Sequence, residues 1–285
     1  MKKILIFASN PAGVRHSHLA KDHTLASYHD VHIELDQSNK NLEVVFKAQS
    51  ITAFDLVYFR TSDNNKPIAI PLALCLKQLG TRIIDTALLH SISSSKSYQY
   101  ALFYKIGIPF PHTFIAYADR MIKIESLLKK KLTYPFVVKA VGARKGQNNY
   151  LIKNKAELFT TLNNHEPEAL FVAQEFIPND FDFRVLTTGY VATLAYKRIR
   201  AKDTDSHLNN VSQGGSREIV ELASIPKLVS VAERASKAIK REVCGVDIVL
   251  DKDTGKFYMF EANAAPQIDF PPALKAVRDY LEELA

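Results

Sequence analysis

The sequence predicts a chain of α/β character, built of one large or two to three small packed units, and three observations carry that reading. The first ninety residues alternate short apolar strands with a helix, the later strands come in hairpin pairs, and 285 residues exceed the usual size of a single domain. The composition is that of an ordinary soluble protein, 47% hydrophobic and 24% charged. No apolar run approaches the length of a membrane span, and Met1-Lys2-Lys3 leads straight into a strand, which predicts a cytoplasmic chain with no membrane partner. Cys75 and Cys244 stand far apart without metal-type spacing, which argues against a disulfide framework or a zinc site. The formal charge of +7 is carried by scattered Lys and Arg with no basic-aromatic RNA motif, so the expected ligands are anionic and nucleic acid is not among them.

In chain order, strands are expected at Lys2 to Ser9, Val31 to Leu35, Leu42 to Phe46 and Phe54 to Arg60. A helix at Ile68 to Leu79 stops at Gly80, and a strand at Thr81 to Asp85 follows, completing a small α/β layer. The loop from Asn10 to Arg15 lacks a dinucleotide-binding glycine pattern, and Arg60-Thr61-Ser62 sits at a strand end where such sheets contact ligands. Ser91 to Ser95 caps a helix carrying Lys96, Tyr100 and Phe103, which stops near Gly107. Thr113 to Tyr117 is read as a strand, Asp119 to Lys131 as a helix, and Pro135 to Val141 as a strand with one charge, Lys139, in an apolar run. A buried lysine needs an anionic partner. The small, basic loop Gly142 to Gln147 follows directly, of the kind whose backbone N–H groups fold over phosphates, although the Walker pattern is absent.

Phe171 to Ile177 and Phe181 to Thr187 are read as strands, the latter turning at Thr188-Gly189 into Val191 to Arg198, so that Arg184 and Arg198 come from paired strands. Arg200 to Arg217 shows no apolar periodicity and is expected to be a loop and candidate lid, and Pro226 to Val243 a packing helix. Val246 to Leu250 and Phe257 to Asn263 form a hairpin across Asp251 to Gly255, and Pro271-Pro272 starts a final amphipathic helix. A five-residue hairpin loop would place Asp247, Glu261 and Asn263 on one face, because side chains alternate with period two. Two carboxylates and an amide oxygen among apolar neighbours suit Mg²⁺, which keeps waters and substrate phosphates as its other ligands. The alternative is that both carboxylates face solvent on a half-exposed sheet.

Taken together, Lys96, Lys139 with its small-residue loop, Gln174-Glu175-Phe176-Ile177, Asp182-Phe183-Arg184, and Asp247 followed by Glu261-Ala262-Asn263 resemble the ATP-grasp superfamily over roughly residues 90 to 270. The likeness is to its ribosomal-protein glutamate ligase branch of carboxylate–amine ligases. The resemblance implies an ATP-grasp fold of three units: an N-terminal parallel-sheet α/β domain at 1–90, a central α+β lid at 91–175, and an antiparallel-sheet domain with the metal site at 176–285. It implies that Lys96 and Lys139 contact the ATP phosphates, with Gly142 and Gly146 in the covering loop. Glu175, Phe176 and Ile177 would read the adenine, and Asp182 would lie at the ribose or its surroundings. Arg198 and Asn210 would lie near the phosphates and the acyl centre, Arg184 would add charge there, and Asp247, Glu261 and Asn263 would bind magnesium, as two ions with Mn²⁺ an alternative. After Asn263 relatives have a proline followed by glycine, whereas here Pro266 precedes Gln267.

These features imply an ADP-forming carbon–nitrogen ligase acting through an acyl phosphate on small-molecule or peptide carboxylates and amines. The alternatives are a small-molecule kinase on the same fold, whose members tend to carry aspartate in place of Glu261, and a non-catalytic nucleotide-binding regulator. Substrate identity stays open, with Arg15, His16, Arg60 and residues 200–217 as specificity candidates, and so does the oligomeric state, a homo-oligomer included.

Overall fold

The computed structural model describes residues 2–8, 19, 23–61, 63–90, 92–141, 148–200 and 215–285. Four sheets organise them. The first is parallel, in the order β2 (Thr24–Ala26), β1 (Ile4–Phe7), β6 (Leu56–Phe59), β7 (Arg82–Ile84). Its two central strands are buried along their whole length, as continuous apolar runs between covered faces demand.

The expected single N-terminal layer divides in two. β3 (Val31–Asp36) and β4 (Asn41–Phe46) leave the parallel sheet and form an antiparallel meander with β5 (Gln49–Ser50). Their alternating exposed and covered residues suit a sheet with one wet face, unlike the wholly apolar β1 and β6. Helix Lys66–Gln78 and the covered face of the meander share one core cluster with Leu5, Phe7, Val57 and Phe59.

The central sheet is antiparallel, in the order β10 (Asn149–Ile152), β9 (Phe136–Ala140), β11 (Leu170–Glu175), β8 (Thr113–Tyr117). The helix expected at Asp119 to Lys131 is two helices, Ala118–Lys123 and Glu125–Leu132, separated at Ile124, whose φ of −102° and ψ of 18° leave the helical range. β10 and helix Lys155–Asn163 arise where no element was expected.

The largest sheet runs β14 (Ser216–Val220), β13 (Val191–Ile199), β12 (Phe181–Thr188), β15 (Val243–Leu250), β16 (Phe257–Asn263), all antiparallel. The turn joining β12 to β13 has positive φ at both central residues, Gly189 (57°) and Tyr190 (69°), which matches the strand twist in a two-residue hairpin. Arg217, expected in a loop, lies in β14. The helix expected to reach Val243 ends at Ala238, and Lys240 enters the left-handed region at φ 51° before β15 begins.

Two packing relations position the site. Helix Lys96–Lys105 buries Tyr100 and Phe103 in the cluster that holds Val246, Ile248 and Met259 of the largest sheet, together with Leu228, Val231 and Ala235 of helix Pro226–Ala238. The C-terminal helix Pro271–Leu284 buries Ala273, Val277 and Leu281 against Ile4, Ile6 and Tyr58 of the parallel sheet and Leu186 and Val243 of the largest sheet. This helix therefore joins the two sheets. No helix among the described residues is long and apolar enough to cross a membrane. Leu281→Ala, at a fully buried position of that joint, is expected to cost about 2–5 kcal/mol in urea unfolding; a loss under about 1 kcal/mol would mean that the joint does not carry stability.

Candidate active site

The site forms where helix Lys96–Lys105, the central sheet and the largest sheet meet. Its first element is the β15–β16 hairpin. Leu250 pairs with Phe257, so the connecting loop is one residue longer than the sequence predicts. That register alone would set Asp247 against Phe260 and turn Glu261 to the opposite face. A register shift between Asp247 and Ile248 adds a compensating residue, giving Asp247 opposite Glu261 and Gly245 opposite Asn263. Asp247, Glu261 and Asn263 do share a face, by a route different from the one expected.

Cationic side chains surround these groups. Both oxygens of Asp247 accept from Arg184, through Nε and, at 2.9 Å, Nη2, and Oδ2 also lies 3.1 Å from Arg198 Nη2. Arg198 in turn grips Asp182 with Nε and Nη2 at 2.6 and 2.8 Å. All four groups are buried or nearly so. Burial raises the Asp247 carboxyl, but Arg184 and Arg198 outweigh it and hold the group below the usual carboxylate range. For Asp182 burial prevails over Arg198 and the shift is upward. Burial would lower Arg198, yet Asp247 and Asp182 raise it further above its ordinary value. Asp182 thus holds Arg198 in place.

Lys96 Nζ lies 3.1 Å from Glu261 Oε1. Lys139, 8% exposed, donates to Gln174 Oε1 at 2.8 Å and sits 4.8 Å from the centre of the Phe260 ring. Among the described residues the anionic partner that a buried lysine calls for is supplied at longer range: burial, then Lys96, pull its ammonium down to about 8, with Glu261 and Asp247 opposing. Gln174 Oε1 also accepts from Tyr100 at 3.1 Å, and its amide nitrogen donates to Thr113 at 2.8 Å. Glu175 accepts from the His112 backbone at 3.0 Å at the end of β11, Phe176 is half-buried and Ile177 buried. Gly142, Gly146 and Asn210, with Arg15 and His16, lie outside the described residues.

The residues present fit a hard cation. Asn263 turns its amide nitrogen toward Gly245 O and Asp247 Oδ2, both at 3.2 Å, which presents the amide oxygen away from Asp247. Asp247, Glu261 and Asn263 then offer oxygen donors, the set that magnesium prefers. Among the described residues no group of three or more His, Cys, Asp or Glu side chains is placed for metal binding, so the candidate set is two carboxylates and one amide.

One contributor was not legible beforehand. Gln99 is 2% exposed and pairs with the Ala262 backbone, donating to its carbonyl at 3.1 Å and accepting from its N–H at 2.9 Å. Its only signal was its position three residues after Lys96, on the same helix face. Arg60 is buried and donates to the Pro266 carbonyl at 2.8 Å, so it meets the loop after Asn263. On the far side of that loop, Arg217 donates to Asp269 at 3.0 Å and lies over the Phe270 ring.

Residues 93–273 match the family model of a RimK-like ATP-grasp domain. A probable alpha-L-glutamate ligase of Trichodesmium erythraeum is 28% identical over 236 residues, covering 80% of this chain and 74% of that protein. A D-alanine–D-alanine ligase of a Thermoanaerobacter species is 24% identical over 212 residues, covering 68% of this chain and 56% of that protein. The structure of the ATP-grasp ligase PsnB, complexed with a phosphomimetic variant of its minimal precursor, Mg and ADP, superposes with a TM-score of 0.73 at 15% identity, over 100% of this chain and 99% of that one. A RimK domain ATP-grasp protein of Sphaerobacter thermophilus gives 0.62 at 15% identity, over 98% and 95%. At such identities the structural likeness speaks for the fold.

Two predictions follow from this geometry. A Cβ at Gly245 would lie 2.8 Å from Pro266 Cβ and 3.0 Å from Arg184 Cδ, so Gly245→Ala is expected to cost about 1–3 kcal/mol by thermal unfolding; unchanged stability would show that the loop yields freely. Since kcat/KM reports the free enzyme, kcat/KM for ATP should fall as pH rises through about 8, where Lys139 loses its proton. A profile flat to pH 10 would exclude Lys139 as the titrating group.

Proposed function

The chain belongs to the RimK-like ATP-grasp family, whose model its residues 93–273 match, and on that premise we propose that it is an ATP-dependent carboxylate–amine ligase working through an acyl phosphate. One observation carries the proposal: Lys96, Lys139, Arg184 and Arg198 converge around Asp182, Asp247 and Glu261, four cations against three carboxylates in a largely buried cluster. Such a site accepts an anionic ligand readily and tolerates the charge that spreads during phosphoryl transfer.

A carboxylate does not condense with an amine at neutral pH, because its oxygen is a poor leaving group and its charge repels nucleophiles. Transfer of the γ-phosphoryl of ATP onto the carboxylate breaks the Pγ–O bond to ADP and forms an acyl phosphate. The amine then attacks the acyl carbon, phosphate departs, and the amine gives up its proton. In this reading Lys96 and Lys139 bind the phosphates, Gln174 aims Lys139, and Glu175, Phe176 and Ile177 border the adenine. Asp182 would lie at the ribose or its surroundings and holds Arg198, while Arg184 and Arg198 would stabilise the equatorial oxygens of the phosphoryl group in flight. Asp247, Glu261 and Asn263 would hold Mg²⁺, which when bound neutralises the phosphates and polarises the phosphoryl oxygens. If two ions bind, Glu261 would be the ligand they share. Gly142 to Gln147 would cover the phosphates and shield the acyl phosphate from water.

The division at residues 90 and 175 belongs to this proposal, with ATP between the second and third units. The donor is proposed as an amino acid or an acidic peptide. The relatives are named for glutamate and D-alanine ligation, and the PsnB complexes contain a precursor peptide.

ADP and phosphate release from Mg·ATP, measured over a panel of amino acids and acidic peptides with hydroxylamine present, tests the reading. A hydroxamate should form with one class of carboxylate, and Glu261→Gln should reduce it by about 100-fold or more. Phosphate transfer to a hydroxyl without hydroxamate would identify a kinase, and ATP binding without turnover a regulator.

A further inference from the structure

Among the described residues β16 is an edge strand of the largest sheet, with no strand of them paired to its outer side, yet Ala262 is 2% exposed. A buried N–H and C=O left unmatched at that point would each cost the desolvation of a peptide group. Gln99 meets both. Its primary amide accepts from Ala262 N–H at 2.9 Å and donates to Ala262 O at 3.1 Å, the pattern that a neighbouring strand would supply, while the same nitrogen donates to Ser94 O at 3.0 Å. At 2% exposure the side chain has no water to replace these partners.

The two backbone groups belong to different peptide units. The N–H of Ala262 lies in the plane shared with Glu261, and its carbonyl in the plane shared with Asn263. One amide therefore orients the peptide planes on either side of Ala262, and with them the Cα–Cβ directions of Glu261 and Asn263. The next residue along the helix repeats the device: Tyr100 donates to Phe260 O at 2.7 Å. One turn earlier Lys96 reaches Glu261 itself. Helix Lys96–Lys105 thus takes the place of a sixth strand along residues 260–262.

We propose that Gln99 is a positioning residue for the cation site: by pairing with the backbone of Ala262 it sets the angle at which Glu261 and Asn263 present their oxygens opposite Asp247. This rests on the reading of Asp247, Glu261 and Asn263 as the metal ligands. Gln99 touches neither substrate nor cation. It acts through the strand, as groups behind a metal ligand do, and replacement of such groups weakens metal binding by about 10–100-fold.

The test is Mn²⁺ titration of the full chain in the presence of ADP, followed by electron paramagnetic resonance, for the unaltered protein, Gln99→Met and Phe103→Leu. Methionine keeps the length and volume of Gln99 and removes its hydrogen bonds. Phe103, fully buried in the core beneath the same helix, reports what mere loosening of the helix does. Circular dichroism and the thermal midpoint of each variant establish that it is folded. The expected result is an Mn²⁺ dissociation constant raised about 10-fold or more in Gln99→Met, with Phe103→Leu within about twofold of the unaltered protein despite a lowered midpoint. In turnover assays Gln99→Met should require more Mg²⁺ and recover kcat when Mg²⁺ saturates. Equal loss of Mn²⁺ affinity in both variants, or none in a folded Gln99→Met, overturns the inference while leaving the metal reading intact. Failure of the unaltered protein to bind Mn²⁺ with ADP overturns the metal reading and the inference with it.

Discussion

Two arginines and two aspartates buried side by side on one face of the largest sheet are the constraint on which the rest of the structure depends. Taking such ions out of water costs several kcal/mol each, and only close pairing offsets it. Here the pairing is continuous: Asp182 is held by Arg198, Arg198 also reaches Asp247, and Asp247 is held by Arg184. The four groups come from three adjacent strands, β13, β12 and β15, with Arg184 directly across from Asp247 and Asp182 across from Arg198. Any slip of register would strand a buried charge, so the array enforces the alignment of the sheet as well as the charge of the site.

That array also explains how carboxylates proposed to hold a cation coexist with arginines proposed to meet an anion. Arg184 and Arg198 keep Asp247 ionised despite its burial. Each carboxylate oxygen has more than one lone pair, so an arginine contact does not exhaust it as a ligand. Lys139 is treated differently: it donates to a neutral amide, Gln174, and burial, then Lys96, make its ammonium the more easily lost. An anion arriving beside it would offset that burial and favour the charged ammonium.

The wall on the other side is the loop after Asn263. Arg60 from the parallel sheet holds the Pro266 carbonyl, Arg217 from β14 holds Asp269, and Phe270 packs edge-on to Tyr196. Gly245 leaves room for Pro266 against Arg184. A loop pinned from two sheets at once ties the parallel sheet to the charged face.

Much of this was legible along the chain, because it depends on local pattern. Short apolar, β-prone runs with isolated charges placed Lys139, Arg184, Asp247 and Glu261 on strands, and serine at the N-cap placed Lys96 at the start of its helix, where Ser95 Oγ does accept from the Tyr98 N–H. With Gln174 to Ile177, Asp182 and Asn263 these residues carried the resemblance to the family that the match over residues 93–273 shows. What the sequence did not decide was pairing between distant segments. The meander β3–β4–β5 left the parallel sheet, Arg217 joined a strand, and Asp247 faced Glu261 only because a bulge offset a longer loop. Gln99 and Ala262 are far apart along the chain, and nothing in either neighbourhood announces the other. Side-chain type and local period are properties of neighbouring residues, so sequence alone determined which groups the site contains; register, bulges and edge caps are settled by burial between segments brought together only in the fold, so tertiary structure alone decided how those groups face one another.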